Sequence, residues 1–426
     1  MKIAIIGAGL TGLTLAYKLS KKGFYVSVFE KDEIPGGLAK GFKSENWQWY
    51  LDNYYHHIFT SDSSIINLAK EVNIPIGFLR PKTKSLIDGK IYPLDSPLDV
   101  LSFKELTVLE RLRMGLILAY LKITPFWKSM ENVAAADFLP KMMGEKSYKI
   151  LWEPLLSAKF GQYKNHVPLS WFWARIKKRS ASLGYPQGGF QNLINEIKNK
   201  AQKNGVKFYF ESEVTKISKN REEINLSFAN SKKETFNKLI ATIPSPSFTK
   251  LIDDLPKDYI KKLNSLKYIS ALNLILVLNK PFFQDNTYWL NVCDKSFPFL
   301  SVVEHTNFID SKYYNGEHII YVGNYLPQNH PYFSKSADEL LAIFDPFLKR
   351  INQNYKSQVI NYKLIKDYFA QPVIPLNYSK IIPSFKTPLK NVYLTNMQQV
   401  YPWDRGTNYA VEFGEKVASL VAYETF

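Results

Sequence analysis

The sequence contains a single cysteine, Cys293, among its 426 residues. A lone thiol forms neither an internal disulfide nor a paired redox motif, so we expect a reducing, cytoplasmic compartment. No secretory leader is expected, because an apolar, strand-like run begins directly after Met1 and Lys2. The cysteine and the six histidines show no metal-ligand spacing, so no metal site is predicted.

Long apolar runs are also missing. The longest notable run, Met114 to Leu121, is far shorter than the roughly 20 residues that a membrane-spanning helix needs. It lies within a helical pattern over residues 104–127. One interpretation is a helix buried in the protein; the alternative is a helix lying in a membrane surface. The flanking anchors in the alternative would be Arg111, Arg113, Lys122 and Trp127.

Acidic residues are in the minority. Against 55 Lys and Arg stand 38 Asp and Glu, which gives a net charge of +17. This charge favours anionic partners such as an acidic membrane surface or a phosphorylated or carboxylated ligand. The lysines are scattered and no zinc-finger, helix-turn-helix or RNA-binding signature accompanies them, so nucleic acid is not a predicted partner. The 15% aromatic content indicates a thick core, a pocket for a flat ligand, or both.

The first 30 residues show a pattern of strand, glycine turn, helix and second strand. The run Lys2 to Ile6 is nearly continuous in apolar residues, as is typical of a parallel strand that is buried on both faces. The order of later strands and helices predicts an α/β fold: a Rossmann-like domain in three sequence segments with an inserted α+β substrate domain. The predicted boundaries are 1–60, 183–249 and 386–426 for the first domain, and 61–182 and 250–385 for the second. Residues 61–182 are predicted to be mostly helical and irregular.

Three glycines, Gly7, Gly9 and Gly12, form a GxGxxG motif between the first strand and the helix. In such a motif the first glycine makes the turn, the second lets the backbone approach a pyrophosphate, and the third lets helix and strand pack closely. Glu30 follows the second strand, where an acid would bind ribose hydroxyls. An acid at this point argues against a ribose phosphate, which leaves FAD or NAD.

A second glycine doublet, Gly36–Gly37 in "GGLAKGF", separates these two cofactors. The doublet resembles the extension found in the FAD-binding family of amine oxidases, protoporphyrinogen oxidase and phytoene desaturase, of which UDP-galactopyranose mutase is a more distant member. The segments "GYPQGGFQNLINEIKNKAQKNGVKFYFESEVTKI" and "NVYLTNMQQVYPWDRGTNYAVEFGEKVASLV" are similar to the middle and closing FAD segments of that family. The resemblance implies noncovalent FAD, with contacts from Gly7, Gly9, Leu10, Thr11, Gly12, Glu30, Lys31, Gly36, Gly37, Leu38, Ala39, Val214, Asn396, Arg405, Gly406, Thr407 and Asn408.

The closing segment departs from the family pattern at one position. The family usually has Tyr-Leu-Ala-Gly-Asp there, whereas this chain has Tyr393-Leu-Thr-Asn396-Met397. The usual aspartate is therefore missing. Asp404 replaces it only if the following loop folds back.

The resemblance also implies where substrate and flavin ring would meet. The N-terminus of the last helix, at residues 406–408, would direct its N–H groups and dipole at the ring. The stretch after the glycine doublet would run beside it, and because neighbouring side chains on an extended segment alternate, only one of His56 and His57 is expected to face the ligand. The candidate catalytic residues are His56, His57, Lys159, Trp403, Asp404 and Arg405. The candidate substrate residues are Tyr54, Tyr55, Arg175, Tyr325, Tyr401 and Trp403.

Three functions remain open. The first is an FAD-dependent oxidoreductase that moves a hydride between flavin and a largely apolar substrate with an anionic end, such as an isoprenoid, a polyprenyl phosphate or a porphyrin. The second is a non-redox flavoenzyme that resembles UDP-galactopyranose mutase, with Arg175 and Arg179 binding a sugar nucleotide. The third is a flavin-binding scaffold without turnover. NAD(P)H is a transient electron donor in some of these alternatives, and the oligomeric state is left open.

Overall fold

Twenty β-strands and thirteen α-helices alternate along residues 1–425, which the computed structural model describes. The strands are β1 (Lys2–Ile6), β2 (Tyr25–Phe29), β3 (Gly41–Phe42), β4 (Leu51–Asp52), β5 (Ile58–Phe59), β6 (Ile76–Leu79), β7 (Lys82–Ile87), β8 (Lys90–Pro93), β9 (Leu183–Pro186), β10 (Lys207–Tyr209), β11 (Val214–Asn220), β12 (Glu223–Phe228), β13 (Lys233–Phe236), β14 (Lys238–Ala241), β15 (Tyr268–Leu278), β16 (Thr287–Val292), β17 (Ser301–Glu304), β18 (His318–Leu326), β19 (Val359–Pro372) and β20 (Val392–Leu394). The helices are α1 (Leu10–Ser20), α2 (Ser63–Glu71), α3 (Pro97–Ser102), α4 (Val108–Ile123), α5 (Ala135–Met143), α6 (Glu145–Ser147), α7 (Glu153–Phe160), α8 (Leu169–Lys178), α9 (Phe190–Lys203), α10 (Ser245–Leu251), α11 (Lys257–Ser265), α12 (Ala337–Ile351) and α13 (Thr407–Tyr423).

A five-stranded parallel sheet in the order β10-β2-β1-β14-β20 contains the strand that precedes the GxGxxG motif. Its central strand β1 buries Ile3 and Ile5 completely, which confirms the strand predicted from the apolar run. Helix α1 packs against α9 and α13. The contact with α13 is close, because a Cβ added to Gly414 would lie 2.6 Å from the Thr14 Cβ. The sheet draws its strands from all three segments predicted for the first domain.

A seven-stranded mixed sheet in the order β19-β15-β18-β17-β16-β7-β8 lies in the second part of the molecule. Every residue of β15 is buried in it. Strands β7 and β8 come from residues 82–93, a region for which the sequence predicted mostly helical and irregular structure, so that prediction was wrong there. Strand β7 pairs in parallel with β16, about 200 residues later, and no local pattern carries that pairing. The positions of the domain boundaries stay a prediction.

Helices α3 to α8 form a helical layer with its own apolar core. The predicted helix at residues 104–127 is shorter in the structure, because Thr107 and Glu110 form a capping box at the start of α4, and Pro125 follows its end. Met114 and Leu121 are fully buried on one side of α4, whereas Leu116 is 70% exposed on another. Helix α4 is therefore buried along one face, as the first interpretation predicts, and exposed along another. Within residues 1–425 no helix combines the length and the apolar character that are needed to cross a membrane.

Candidate active site

The GxGxxG turn between β1 and α1 leaves no room for side chains. Gly7 has a φ of +99°, a conformation that glycine adopts without strain. A Cβ on Gly12 would lie only 2.0 Å from the Gly7 carbonyl oxygen. At Gly9, by contrast, a Cβ would meet nothing closer than the Gly37 Cα at 4.0 Å. The outer side of Gly9 is therefore open, as the approach of a phosphate requires.

The glycine doublet packs directly against this turn. The Gly36 N–H donates to the Ala8 carbonyl oxygen at 3.0 Å, and Gly36 forms a short parallel bridge with Gly9. Helix α1 begins at Leu10 without a side-chain cap and without an acid in its first turn. Its first N–H groups and the positive end of its dipole are therefore free for an anion.

Glu30 directly follows β2 and is buried beside the turn. One carboxylate oxygen accepts from the Ala8 N–H at 2.7 Å, and the other accepts from the Asp32 N–H at 3.1 Å. The carboxylate is thus fixed between the glycine turn and the loop after β2. This is the position that the sequence predicts for binding ribose hydroxyls.

The other predicted cofactor residues vary in their surroundings. Leu38 and Ala39 lie in a 3₁₀ turn after the doublet, Lys31 is exposed, and Val214 is buried at the start of β11. Asn396, which stands near the place of the family's aspartate, is buried. Its side-chain amide donates to the Ile243 carbonyl at 3.0 Å and to the Ser245 hydroxyl at 3.1 Å. The direct role of Asn396 at a cofactor stays a prediction.

Helix α13 also begins without a side-chain cap and without an acid in its first turn. Gly406 is its N-cap, and the Gly406 carbonyl accepts from the Tyr409 and Ala410 N–H groups. Thr407 and Asn408 are buried at this N-terminus. The Asn408 side-chain oxygen accepts from the Ile65 N–H at 3.3 Å, which ties the start of α13 to α2.

Two cationic side chains contact the carboxylate of Asp404, and a third, Arg405, is linked to it through Gln371. Its Oδ2 accepts from Lys159 Nζ at 3.0 Å and from Arg175 Nη1 at 2.8 Å. Gln371 at the end of β19 donates to Asp404 Oδ1 at 3.3 Å and accepts from Arg405 Nε at 2.9 Å. Arg405 Nη2 donates to the Tyr325 hydroxyl. We call Lys159, Arg175, Gln371, Asp404 and Arg405 the Asp404 cluster.

Burial and the neighbouring charges determine the protonation states of Lys159 and Asp404. Burial lowers the pKa of Lys159 to about 7, and Asp404 only partly opposes that shift. Burial raises the pKa of Asp404, but Lys159, Arg175 and Arg405 lower it more strongly, so the net pKa lies well below its usual range. Asp404 is therefore ionised at neutral pH, whereas Lys159 is poised to exchange a proton.

Aromatic rings surround the cluster. The Trp403 ring stacks on the Trp173 ring with centroids 5.1 Å apart, and Lys178 Nζ lies 5.0 Å from the Trp403 centroid. Lys159 Nζ lies 4.9 Å from the Trp171 ring and 5.5 Å from the Tyr325 ring. The structure thus joins four predicted residues, Lys159, Arg175, Asp404 and Arg405, to the predicted Tyr325 and Trp403.

The predicted stretch of residues 54–57 lies near this cluster, because the charge of Arg405 acts on Tyr54, Tyr55 and His56. Burial lowers the pKa of His56 to about 3, with a contribution from Arg405, and the pKa of His57 to about 4, with contributions from Arg179 and Arg175. Both imidazoles are therefore neutral at pH 7. Their rings contact different partners, Phe190 for His56 and Trp289 for His57.

The tyrosines of this stretch stay protonated. Burial raises the pKa of Tyr54 and of Tyr55 far above neutrality. The Tyr55 hydroxyl lies 3.3 Å from the Ser301 hydroxyl, and its ring packs edge-on against Trp289. Both phenols are therefore hydrogen-bond donors at neutral pH, and neither is a base.

Several buried polar atoms around the site have no hydrogen-bond partner among residues 1–425. They are Tyr54 Oη, His56 Nδ1, His57 Nδ1, Trp171 Nε1 and Tyr409 Oη. Buried polar atoms normally have partners, so this group marks a place where a polar ligand completes the structure. Together with the open glycine turn and the two uncapped helix starts, these atoms fit a bound flavin nucleotide.

Sequence reasoning missed two residues and placed a third differently. Gln371 bridges Asp404 and Arg405, and its only sequence signal is a polar residue in the apolar stretch "YFAQPV". Trp171 lies under Lys159 and Arg175. Tyr401, predicted near substrate, directs its hydroxyl to Ser170 at 2.9 Å and to Glu131 at 3.1 Å. It belongs to the packing of the helical layer in this structure.

The family of flavin-containing amine oxidoreductases matches residues 10–422, almost the whole chain. This chain belongs to that family. It is an FAD-dependent oxidoreductase. That its glycine turn, Glu30 and glycine doublet hold the FAD stays a prediction. Cys293 is buried in the helical layer, with its sulfur near the Leu151 carbonyl, so it lies apart from these elements.

Relatives of known name are distant. A 1-hydroxycarotenoid 3,4-desaturase from Flavobacterium sp. (strain P99-3) is 23% identical over 256 residues, which cover 52% of this chain and 52% of the relative. A 15-cis-phytoene desaturase from Synechococcus elongatus is 36% identical over 74 residues, 17% of this chain and 15% of that one. The chain thus spans about half or less of the length of the curated relatives it matches.

Solved structures resemble the whole chain. An oxidoreductase from Methanosarcina mazei is 20% identical, with a TM-score of 0.75, and the alignment covers 98% of this chain and 100% of that one. A protein provisionally named protoporphyrinogen oxidase from Exiguobacterium sp. 255-15 is 15% identical, with a TM-score of 0.76 and 99% coverage of both chains. At these identities the likeness establishes the fold alone.

Proposed function

We propose that this oxidoreductase transfers a hydride between FAD and a largely apolar substrate that carries an anionic end. Isoprenoids, polyprenyl phosphates and porphyrins have this chemistry. When bound, the flavin supplies the hydride acceptor or donor. Gly9, Gly12 and Gly36 would hold its pyrophosphate, Glu30 its ribose, and the start of α13 would lie toward its ring.

The observation that carries this proposal is the charge of the Asp404 cluster. Lys159 and Arg175 pair with a single carboxylate, Asp404, and Arg405 lies beside it, so the cluster holds excess positive charge when Lys159 is protonated. Excess charge beside stacked aromatic rings is suited to a ligand with an anionic end and an apolar body. Arg405 would bind the anionic group, and Trp403 and Tyr325 would pack along the apolar part.

The pKa values favour Lys159 over the histidines for proton transfer. A general acid or base works best when its pKa lies near the operating pH. Lys159, with a pKa of about 7, meets that condition. His56 and His57, with pKa values of about 3 and 4, stay neutral, and the one that faces the substrate would orient it through its unpartnered Nδ1 atom.

The test compares the binding of an anionic ligand with the binding of its uncharged analogue. FAD-loaded protein is titrated anaerobically with farnesyl phosphate and with farnesol while the visible flavin band is recorded. We expect the phosphate to perturb the band at a concentration about tenfold lower, because a charge-assisted contact is worth about 1.5–3 kcal/mol. Arg405→Gln should remove this preference. Arg350 pairs with Asp294 outside the Asp404 cluster, so Arg350→Gln should retain it. Equal responses to the two ligands would contradict the proposal.

The same protein distinguishes the alternative functions. Bleaching of the flavin by NADPH or NADH would indicate a reductase, or a mutase that needs reduced flavin. Arg175 is already paired with Asp404, so the mutase alternative requires a sugar nucleotide to compete for that arginine. Bleaching by an isoprenoid substrate alone would indicate an oxidase or desaturase. If no donor reduces the flavin, the scaffold alternative is favoured.

A further inference from the structure

Exposed apolar side chains are concentrated on one part of the helical layer. Within residues 1–425, eighteen large hydrophobic side chains are exposed, and nine of them fall between residues 98 and 126. Among these, Leu109 is 68% exposed, Ile123 is 75% exposed and Phe126 is 73% exposed. Scattered exposed apolar residues are ordinary, but a contiguous group marks a surface that something else covers.

The group forms a stripe along α4. Its members are spaced three or four residues apart, which places them on one side of a helix. We call them the apolar face of α4: Leu109, Leu112, Leu116, Tyr120 and Ile123. The other side of the helix packs into the protein through Met114 and Leu121. Helix α4 is thus apolar on two sides, and the protein covers only one of them.

The charges around the apolar face are mostly basic. Residues 97–128 contain five Lys and Arg and three Asp and Glu. Each of the three acids is engaged locally: Asp99 and Glu110 accept the capping bonds of α3 and α4, and Glu105 accepts from the Tyr92 hydroxyl. Lys104 precedes α4 and Lys128 follows it, and both are exposed. Lys122 is exposed as well, although its ammonium donates to backbone carbonyls.

These charges decide between the two classes of partner that an apolar face fits. In a symmetric pair of chains, the same basic rim would face itself, which is unfavourable. In a bilayer that contains anionic lipid, the acyl chains would surround the apolar face of α4, and the negatively charged headgroups would attract the basic residues around it. We propose that the apolar face of α4, together with Phe126, lies in the surface of an anionic lipid bilayer.

The face is connected to the candidate active site through α8. Lys122 Nζ donates to the carbonyl oxygens of Lys177 and Arg179 at 3.1 and 2.6 Å, and Lys177 Nζ donates to the Ile123 carbonyl at 2.8 Å. Helix α8 also carries Arg175, which binds Asp404. The contacts between α4 and α8 therefore hold the apolar face of α4 close to the Asp404 cluster. The inference does not depend on the identity of the substrate.

The experiment measures co-sedimentation of the FAD-loaded full chain with lipid vesicles. One vesicle set is phosphatidylcholine alone, and in the other about a third of the lipid is phosphatidylglycerol. We expect binding to the anionic vesicles only. The double variant Leu109→Gln/Leu116→Gln should bind at least about tenfold more weakly, because two apolar side chains no longer enter the bilayer.

The matched control is Tyr25→Gln/Tyr423→Gln, which removes two exposed apolar side chains, 74% and 86% exposed, from elsewhere on the surface. The control should bind as the unaltered protein does, and thermal unfolding with bound FAD verifies that both variants fold. Absence of the unaltered protein from the vesicle pellet would overturn the proposal, as would equal binding of the two double variants. A vesicle-free dimer that dissociates in Leu109→Gln/Leu116→Gln would assign the face to a second copy instead.

Discussion

At the glycine loops backbone atoms form the site, whereas at the Asp404 cluster side chains form it. The first region uses two short segments, residues 7–12 and 36–37, that lie close together in sequence and in space. The second uses α7, α8, the end of β19 and the segment before α13. The two regions differ in what a substitution can change. A side chain added at the loops blocks the site, while a side chain replaced in the cluster alters its charge.

The largest expected effect comes from Gly12→Ala. Its Cβ would lie 2.0 Å from the Gly7 carbonyl oxygen, so the start of α1 has to shift away from β1. We expect a loss of stability of about 3 kcal/mol, the upper end for overpacking, and a protein purified without its yellow cofactor. Denaturant unfolding and the ratio of visible to ultraviolet absorbance measure the two effects. Stable, fully yellow Gly12→Ala protein would show that backbone packing does not define this region.

Gly9→Ala tests cofactor binding at the glycine turn without an effect on folding. The new Cβ meets no protein atom closer than 4.0 Å, and the backbone at Gly9 has an ordinary φ of −71°. The variant should fold as the unaltered chain does and yet bind FAD about a hundredfold more weakly, because the methyl group occupies the approach of the pyrophosphate. FAD titration of the apoprotein by fluorescence measures the affinity.

The control for Gly9→Ala is Gly77→Ala. Gly77 lies in β6, and a Cβ there also meets nothing within 4 Å. It should leave both stability and FAD affinity unchanged. Equal FAD affinity in Gly9→Ala and Gly77→Ala would mean that the pyrophosphate binds elsewhere.

The sequence was a good guide to the first region because its constraints are local. A turn that admits no Cβ at Gly12 selects glycine at a fixed spacing, and the buried strand before it selects an apolar run. The second region is assembled by contacts between residues 33 to 245 positions apart, such as Gln371 with Asp404 and Lys159 with Asp404. The sequence allows most members of the Asp404 cluster to be proposed individually as site residues. The bridge that Gln371 forms between Asp404 and Arg405 is visible only in the tertiary structure.

The pairing of distant strands explains the error in the fold prediction. Strand β7 contains four polar residues among six, and it becomes a strand because β16 lies beside it. The start of α4 was mislocated for a different reason: the capping box of Thr107 and Glu110 is a local signal that the sequence does contain. The first error needs the tertiary structure to correct it, and the second does not.

A substitution in the Asp404 cluster should act on stability and leave FAD bound. Asp404→Asn removes the carboxylate that Lys159, Arg175 and the Arg405 backbone share, and leaves buried positive charge without a counterion. We expect a loss of about 2 kcal/mol, less than for a fully buried pair because Arg175 is half exposed. Denaturant unfolding of the FAD-loaded protein measures it.

Asp253→Asn provides the comparison for that variant. Asp253 pairs with Lys216 at the surface, where both side chains are more than half exposed. Its loss should change stability by no more than about 0.5 kcal/mol. A similar loss of stability in both variants would mean that the Asp404 cluster behaves as an ordinary surface network. Loss of FAD from Asp404→Asn would mean that the two regions are not separate.

The smallest effect, and the most specific, is the pH dependence that Lys159 contributes. Its pKa of about 7 in the folded protein lies below the usual 10.5, so between these values the unfolded chain holds a proton that the folded chain has lost. Stability therefore rises with pH across this window, and below pH 7 the full cost of burying the charge remains. The difference in unfolding free energy between the unaltered protein and Lys159→Met should become more favourable to the unaltered protein, by on the order of 1 kcal/mol, from pH 7 to pH 8. Lys216→Met, which removes an exposed lysine, should give a curve parallel to that of the unaltered protein. If Lys159→Met also runs parallel, Lys159 keeps its proton throughout the range, and the cluster carries full positive charge at every physiological pH.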